Sequence, residues 1–159
     1  MSNIEKIYEK VVYSRVINFL NQNNQIYSKQ FGFRKAHSTI DTLINITERI
    51  REKLDNREFA CGVFIDLQKA FDTVDHEILL SKLDHYGIRG IEHAWFKSYL
   101  SDRSQFVSLS NSNSELLPIR HGVPQGSVLG PLLFLVYIND LHSSIRTSET
   151  TTSQTIPTS

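Results

Sequence analysis

An apolar run that ends on a carboxylate and turns at once into a helix-like pattern constrains this chain more than any other stretch. It is Phe64–Asp75, FIDLQKAFDTVD. The residues leading into it, Glu58–Asp66, have no helical period and follow a turn signal at Asp55–Asn56, which predicts a strand. Apolar on both faces, FACGVFI reads as a central strand. Asp66 at its end would then sit at the mouth of a buried sheet, where a carboxylate can hold a metal ion. Lys69–Val74 is expected to begin a helical stretch. Asp72 and Asp75 add two more carboxylates, and Asp75 suits the cap of the helix that follows, because its side chain can accept from the free N–H groups of a first turn.

The rest of the chain supplies elements to surround that stretch. Residues 4–20 repeat at helical spacing, with Ile4, Ile7, Tyr8, Val11, Val12, Val16, Phe19 and Leu20 on one face and Glu5, Lys6, Glu9, Lys10 and Arg15 elsewhere. Such a face normally packs into a core. Asn21, Asn23 and Asn24 should end the helix. Residues 28–38, SKQFGFRKAHS, interleave aromatics with Lys29, Arg34 and Lys35, a mixture that suits a nucleic-acid backbone and stacked bases as well as an ordinary surface loop. Ser38 and Asp41 mark the start of a second helix, with Ile40, Leu43, Ile44, Thr47, Ile50 and Leu54 on one face. Ile78, Leu79, Leu80 and Leu83 are the packed residues of a third, which Gly87 ends in left-handed geometry. Ile91–Leu100 is a fourth, its Trp95, Phe96 and Tyr99 read as core. Residues 105–120 alternate about a tip at Asn111–Asn113 and predict a hairpin. In residues 121–141, HGVPQGSVLGPLLFLVYINDL, a Gly/Pro-punctuated loop leads into a helix apolar nearly all round. Pro131 belongs in its first turn, so it should start near Val128 or Leu129 and be buried against the sheet.

Composition enters where it narrows the function. Formal net charge is zero over 159 residues, but residues 1–57 carry 10 Lys and Arg against 6 Asp and Glu, whereas residues 58–159 carry 7 against 11. A basic part and an acidic part suit a protein that holds a polyanion with one and metal ions with the other, and equally an ordinary solvated surface. The single cysteine, Cys61, cannot form an intrachain disulfide and is expected to be a buried thiol. The N-terminus lacks a signal pattern, and the apolar run Val128–Ile138 is too short to span a bilayer. The expectation is a soluble, intracellular protein, nuclear or cytoplasmic, with no membrane partner. From Thr147 to Ser159, nine of thirteen residues are Ser or Thr, a composition that predicts a disordered tail. GxxxxGK[ST], HExxH and GxSxG are all lacking, which argues against P-loop NTPases, zinc metalloproteases and α/β-hydrolases. Taken alone, these features permit metal-assisted phosphoryl chemistry without identifying it.

Four blocks in order narrow the reading: QFGFRKAHST, VFIDLQKAFDTVDHEILLSKL, HYGIRG with WFKSYLSDR, and HGVPQGSVLGPLLFLVYINDL. The series resembles the reverse transcriptase domain of non-LTR (LINE-type) retrotransposons and covers most of residues 1–142. The resemblance implies an α+β fold, a fingers and palm portion of a right-hand polymerase, mostly helical with a small antiparallel palm sheet. Residues 1–57 would be partial fingers, 58–142 partial palm and 143–159 the Ser/Thr-rich tail. It implies an RNA template, a DNA primer and deoxynucleoside triphosphates as partners, and two Mg2+ ions as cofactors. FIDLQKAFD resembles the palm block with the first catalytic aspartate, which puts Asp66 and the backbone carbonyl of Leu67 on the metal ions. Phe71 matches the bulky residue that stacks under the incoming sugar, and Gln125 and Gly126 match the block lining the template and nucleotide pocket. Arg34 and Lys35 fall in the fingers, near the template strand. Asp72 and Asp75 are better explained by capping and local hydrogen bonding than by metal binding.

One part of the family pattern is lacking. A Phe/Tyr-Ala-Asp-Asp block that supplies further carboxylates occurs nowhere in the 159 residues, and Asn139–Asp140, at a helix end, is no substitute. In-line transfer uses two Mg2+ ions roughly 4 Å apart, which one carboxylate cannot hold. The expectation is a truncated domain that does not polymerise DNA alone. The alternative is a non-catalytic RNA-binding or assembly remnant of the same fold.

Overall fold

A computed structural model describes residues 3–27, 39–64, 66–101, 103–109 and 112–144. In chain order the elements are α1 (Asn3–Gln22), α2 (Thr39–Asp55), α3 (His76–His85), α4 (Gly90–Leu100), the short strands β1 (Ser104–Gln105), β2 (Ser108–Leu109), β3 (Ser112–Asn113) and β4 (Leu117–Pro118), α5 (Gly130–Ile138) and a final 3-10 turn, Leu141–Ser144. Helices thus accompany two small antiparallel sheets, β1 with β4 and β2 with β3. The chain divides into two compact units, one of Met1–Gln25 with Lys69–Tyr137, the other of Ile26–Gln68 with Ile138–Ser159.

Helix ends in both units follow from local chemistry. After α1, Asn24 takes φ 52° while the Gln25 N–H reaches back to the Leu20 carbonyl at 2.9 Å. After α3, Gly87 takes φ 92° and the Ile88 N–H donates to Leu83 at 2.9 Å. Both satisfy last-turn carbonyls through one left-handed residue, as the Asn cluster and Gly87 predict. Arg57, φ 58°, does the same after α2, without the ease of Gly or Asn. At the other end of α3, Asp75 Oδ1 accepts from the Ile78 N–H at 2.9 Å, the expected cap.

The first unit is built around α5. Leu132 to Val136, five successive residues, are all buried, so this helix has no solvent face, as its composition predicts. Ser127 Oγ accepts from the N–H of Gly130, the first residue of α5, at 2.8 Å, and Pro131, the second residue, falls in the first turn as expected. Its neighbours differ from the expected sheet: Phe134 meets Phe71, 5.1 Å between ring centres, and the Tyr137 carbonyl accepts from Lys82 of α3. Leu79, Leu83, Phe96 and Leu100 of α3 and α4 complete the core, whereas Ile78, expected there, is exposed. In the hairpin, Leu109 pairs with Ser112 and Ser108 with Asn113, so Asn113 belongs to a strand and not to the tip.

Three expectations are corrected. The first is the face of α1. Ile4, Ile7, Tyr8 and Val11 are exposed, and the buried or half-buried stripe runs through Glu9, Val12, Tyr13, Val16, Ile17 and Leu20. Helical period shows that a face is apolar, not that another element covers it. The second is the strand at Glu58–Asp66. Residues 58–64 and 66 are exposed and unpaired to any strand among the described residues, and Phe59 is 103% exposed. A strand exists only by exchanging backbone hydrogen bonds with a neighbour, and none of the described segments pairs with this one. Cys61 is consequently exposed, not buried. The third is Lys69–Val74, which forms turns, not a helix. Lys69 takes φ 51°, and its carbonyl accepts from both the Asp72 and Thr73 N–H groups at 2.8 and 3.1 Å; a left-handed residue interrupts helix propagation.

In the second unit, α2 likewise exposes Ile40, Leu43, Ile44 and Leu54. The same unit holds a polar clasp. Asn139, buried, accepts from the Tyr27 N–H through Oδ1 at 2.9 Å, and the Tyr27 ring stacks on His142 with centres 3.8 Å apart. Asn139 thus serves the fold. The tail from 145 onward lies outside the described residues.

Candidate functional site

Two of the blocks singled out in the sequence meet in the first unit. The 71–75 segment and the 121–123 segment run antiparallel: Asp75 bridges to His121, the Gly122 N–H donates to the Val74 carbonyl at 2.7 Å, and the Val123 N–H donates to the Phe71 carbonyl at 2.8 Å. Glycine at 122 is a requirement of this junction. Its φ is 86°, and a Cβ there would stand 2.9 Å from the Cα of Asp72, closer than carbon atoms pack. His76 adds a side-chain link, its Nε2 lying 2.8 Å from the Gly122 carbonyl.

The junction carries the 122–128 loop over the 71–75 segment. Gln125 and Gly126 are exposed at its crest. Gln125 Nε2 donates to Asp72 Oδ1 at 3.1 Å, which commits the amide nitrogen of its carboxamide and not the oxygen, an acceptor. Gly126 takes φ 73° with open space where a Cβ would be. Phe71 is half-buried, with its ring tilted against Phe134 of α5. Asp75 caps α3 through a local hydrogen bond, as expected, whereas the bond to the Asp72 carboxylate comes from Gln125, 53 residues further along the chain. The Ile78 N–H holds the Asp75 carboxyl below the usual carboxylate range, with help from the Glu77 N–H and the charges of His121 and His76.

At its far end the loop is fastened by residues the sequence reading missed. Glu9 of α1 is 3% exposed. Its Oε1 accepts from the Tyr99 hydroxyl and its Oε2 from the Val128 N–H, each at 2.6 Å. Burial and the bond to Glu9 push the Tyr99 phenol well above its ordinary range, with a bond to Ser127 opposing. By its sequence pattern Glu9 belongs with the polar residues away from the apolar face. The available signal was its register, in line with Val12, Val16 and Leu20 on the stripe that the structure buries.

Asp66 and Leu67 belong to the second unit and are exposed. Arg34 and Lys35 lie outside the described residues. Among the described residues no three His, Cys, Asp or Glu side chains form a group that could hold a metal ion. Of the expected ligands, Asp66 brings one carboxylate and Leu67 one backbone carbonyl to the octahedral oxygen set that Mg2+ demands. No helix among the described residues is long and apolar enough to cross a membrane.

Known proteins resemble the chain over most of its length. A family described as Reverse transcriptase (RNA-dependent DNA polymerase) matches residues 1–155. The probable RNA-directed DNA polymerase from transposon BS of Drosophila melanogaster is 39% identical over 147 residues, which cover 89% of this chain and 16% of that protein. The RNA-directed DNA polymerase from mobile element jockey of the same organism is 36% identical over 141 residues, 89% of this chain and 15% of that protein. The probable RNA-directed DNA polymerase from transposon X-element, also of Drosophila melanogaster, is 32% identical over 147 residues, again 89% and 15%. The chain therefore spans 15% to 16% of the length of these curated relatives. With this match running over nearly its whole length, the chain belongs to the reverse transcriptase (RNA-dependent DNA polymerase) family, on the branch of the non-LTR retrotransposons.

Proposed function

We propose that the chain is the fingers and palm portion of an enzyme that copies RNA into DNA, with residues 1–57 as partial fingers, 58–142 as partial palm and 143–159 as a tail. The supporting observation is the junction that seats the 122–128 loop on the Phe71–Asp75 segment, joined by the Val123 to Phe71 hydrogen bond at 2.8 Å. In this reading Phe71 stands under the sugar of an incoming deoxynucleoside triphosphate, and Gln125 and Gly126 face the template and the nucleotide. The exposed Gln125 offers a side-chain acceptor, and Gly126 allows a close backbone approach because no Cβ intrudes. Arg34 and Lys35 neutralise phosphates of the RNA template. Asp66 and the Leu67 carbonyl are the chain's contribution to Mg2+, which when bound neutralises charge developing during nucleotidyl transfer. One carboxylate falls short of a two-ion site, so these 159 residues hold template and nucleotide without joining nucleotides.

The test is primer extension with the purified chain on an RNA template with a DNA primer, Mg2+ and all four deoxynucleoside triphosphates. The expected result is template–primer binding that weakens as salt rises, without extension. Extension by the chain alone that Asp66→Asn abolishes would overturn the proposed inactivity. A chain that does not bind template–primer at low salt would overturn the function itself.

A further inference from the structure

Glu9 is a carboxylate taken out of water, on a helix that leaves Ile4, Ile7, Tyr8 and Val11 exposed to it. A buried carboxylate is tolerable only if its oxygens are satisfied. Here the donors come from far along the chain: the Tyr99 hydroxyl, 90 residues away, and the Val128 N–H, 119 residues away, both at 2.6 Å. The second bond carries the functional implication. Val128 lies two residues before α5, in the turn that leads into the helix, so its N–H has no partner within α5. Ser127 takes up the Gly130 N–H, and Glu9 takes up that of Val128. The rear of the 122–128 loop is thereby fastened to α1. Its front is already fastened to the 71–75 segment through Gly122 and Val123. Gln125 and Gly126 are exposed between two fixed ends.

We propose that Glu9 is the positioning residue of the 122–128 loop, setting where Gln125 presents its carboxamide to a bound nucleotide. The functional half rests on the nucleotide role proposed above for Gln125; the mechanical half does not. Glu9 touches neither template nor nucleotide and acts through Val128. Replacement by Gln keeps the shape and lets the amide oxygen accept from Val128, while its NH2 donates to the Tyr99 oxygen. The charge is lost, and a neutral bond is roughly half as strong as a charge-assisted one.

The experiment uses the full chain, with Glu9→Gln and Gln125→Ala made singly and together. Two quantities are read: amide hydrogen exchange at Val128 and Leu133, and the affinity for Mg2+–dATP by titration calorimetry. Glu9→Gln is expected to speed exchange at Val128 about tenfold and leave Leu133, one turn further into α5, unchanged, because a local fastening opens without global unfolding. The same change should weaken dATP binding about fivefold in the chain that has Gln125 and less than about twofold in the Gln125→Ala chain, since residues that act through one another are not additive. A merely structural role would speed both amides together and weaken binding equally in both backgrounds, and either result overturns the proposal. Tyr99→Phe provides a second variant, expected to leave the Val128 bond in place and its exchange within about twofold of the original. If the original chain binds no dATP, the nucleotide role of Gln125 fails, and exchange at Val128 still decides whether Glu9 holds the loop.

Discussion

At Gly122 two constraints coincide: a φ of 86° and a neighbouring backbone atom 2.9 Å from where a Cβ would go. At Gly126 only the first applies, φ 73° with open space around it. The pair separates strain from collision. Gly126→Ala should cost about 1 to 2 kcal/mol, the penalty of an L-residue in left-handed geometry. Gly122→Ala adds a clash with the Asp72 backbone and should cost more than about 3 kcal/mol, since the 71–75 segment would have to move. Urea denaturation of the two variants checks the order, and equal losses would show that the close approach at Gly122 relaxes easily. Capping at Asp75 could be anticipated from residue type and position, because the competition between a side-chain acceptor and free N–H groups is local. The burial of Glu9 could not, because its two donors lie on α4 and at the start of α5.

Among the elements, α5 and α1 make the sharpest contrast. Helix α5 is apolar on every face, so any fold that forms must bury it, and Leu132 to Val136 are buried as composition demands. Helix α1 is amphipathic, and the face that enters the core is turned from the one its pattern marks. Leu133→Ala should therefore cost about 3 to 5 kcal/mol through a cavity at a fully buried site. Ile7→Ala, at a position 63% exposed, should fall within about 0.5 kcal/mol. Thermal or urea melts of the two decide the point, and a large loss at Ile7 would restore the face read from the periodicity. The strand expected at Glu58–Asp66 is not formed for a related reason. Apolar residues without helical period fit a pleated surface, but a strand needs a second backbone, and none of the described residues pairs with it.

Over the whole molecule, two titrating groups frame the stability against pH. Asp75 has its pKa lowered from 3.8 in the folded state, chiefly by the Ile78 N–H. Its contribution is full above the unfolded value and is lost as pH falls through the lower folded one. Tyr99 has its pKa raised from 10.0 by burial and by Glu9. Its folded form keeps the proton longer than the unfolded chain, so stability is full below pH 10 and declines as pH rises beyond it. Thermal melts from about pH 3 to about pH 11 should show a flatter acid limb in Asp75→Asn and a shallower alkaline limb in Tyr99→Phe. Tyr13, whose phenol is also raised by burial, should keep part of the alkaline decline in the second variant. Limbs unchanged by these substitutions would show that other groups govern both ends.

The family was legible in the chain before any fold was known, because its blocks are short, ordered and local: FIDLQKAFD, HGVPQGS and the apolar YINDL helix each announce themselves within a dozen or so residues. Helix ends at Asn24 and Gly87 and the cap at Asp75 were legible for the same reason, since their hydrogen bonds close within a few residues. Which faces are covered, whether Phe64 and its neighbours pair, and how Gln125 is held depend on contacts between residues far apart in the chain. The bond from Val128 to Glu9 spans 119 positions, and no periodicity encodes a partner at that distance. The motif FIDLQKAFDTVD thus marks the family through its local pattern, while its second half, Phe71 to Asp75, takes its form from the distant loop it supports.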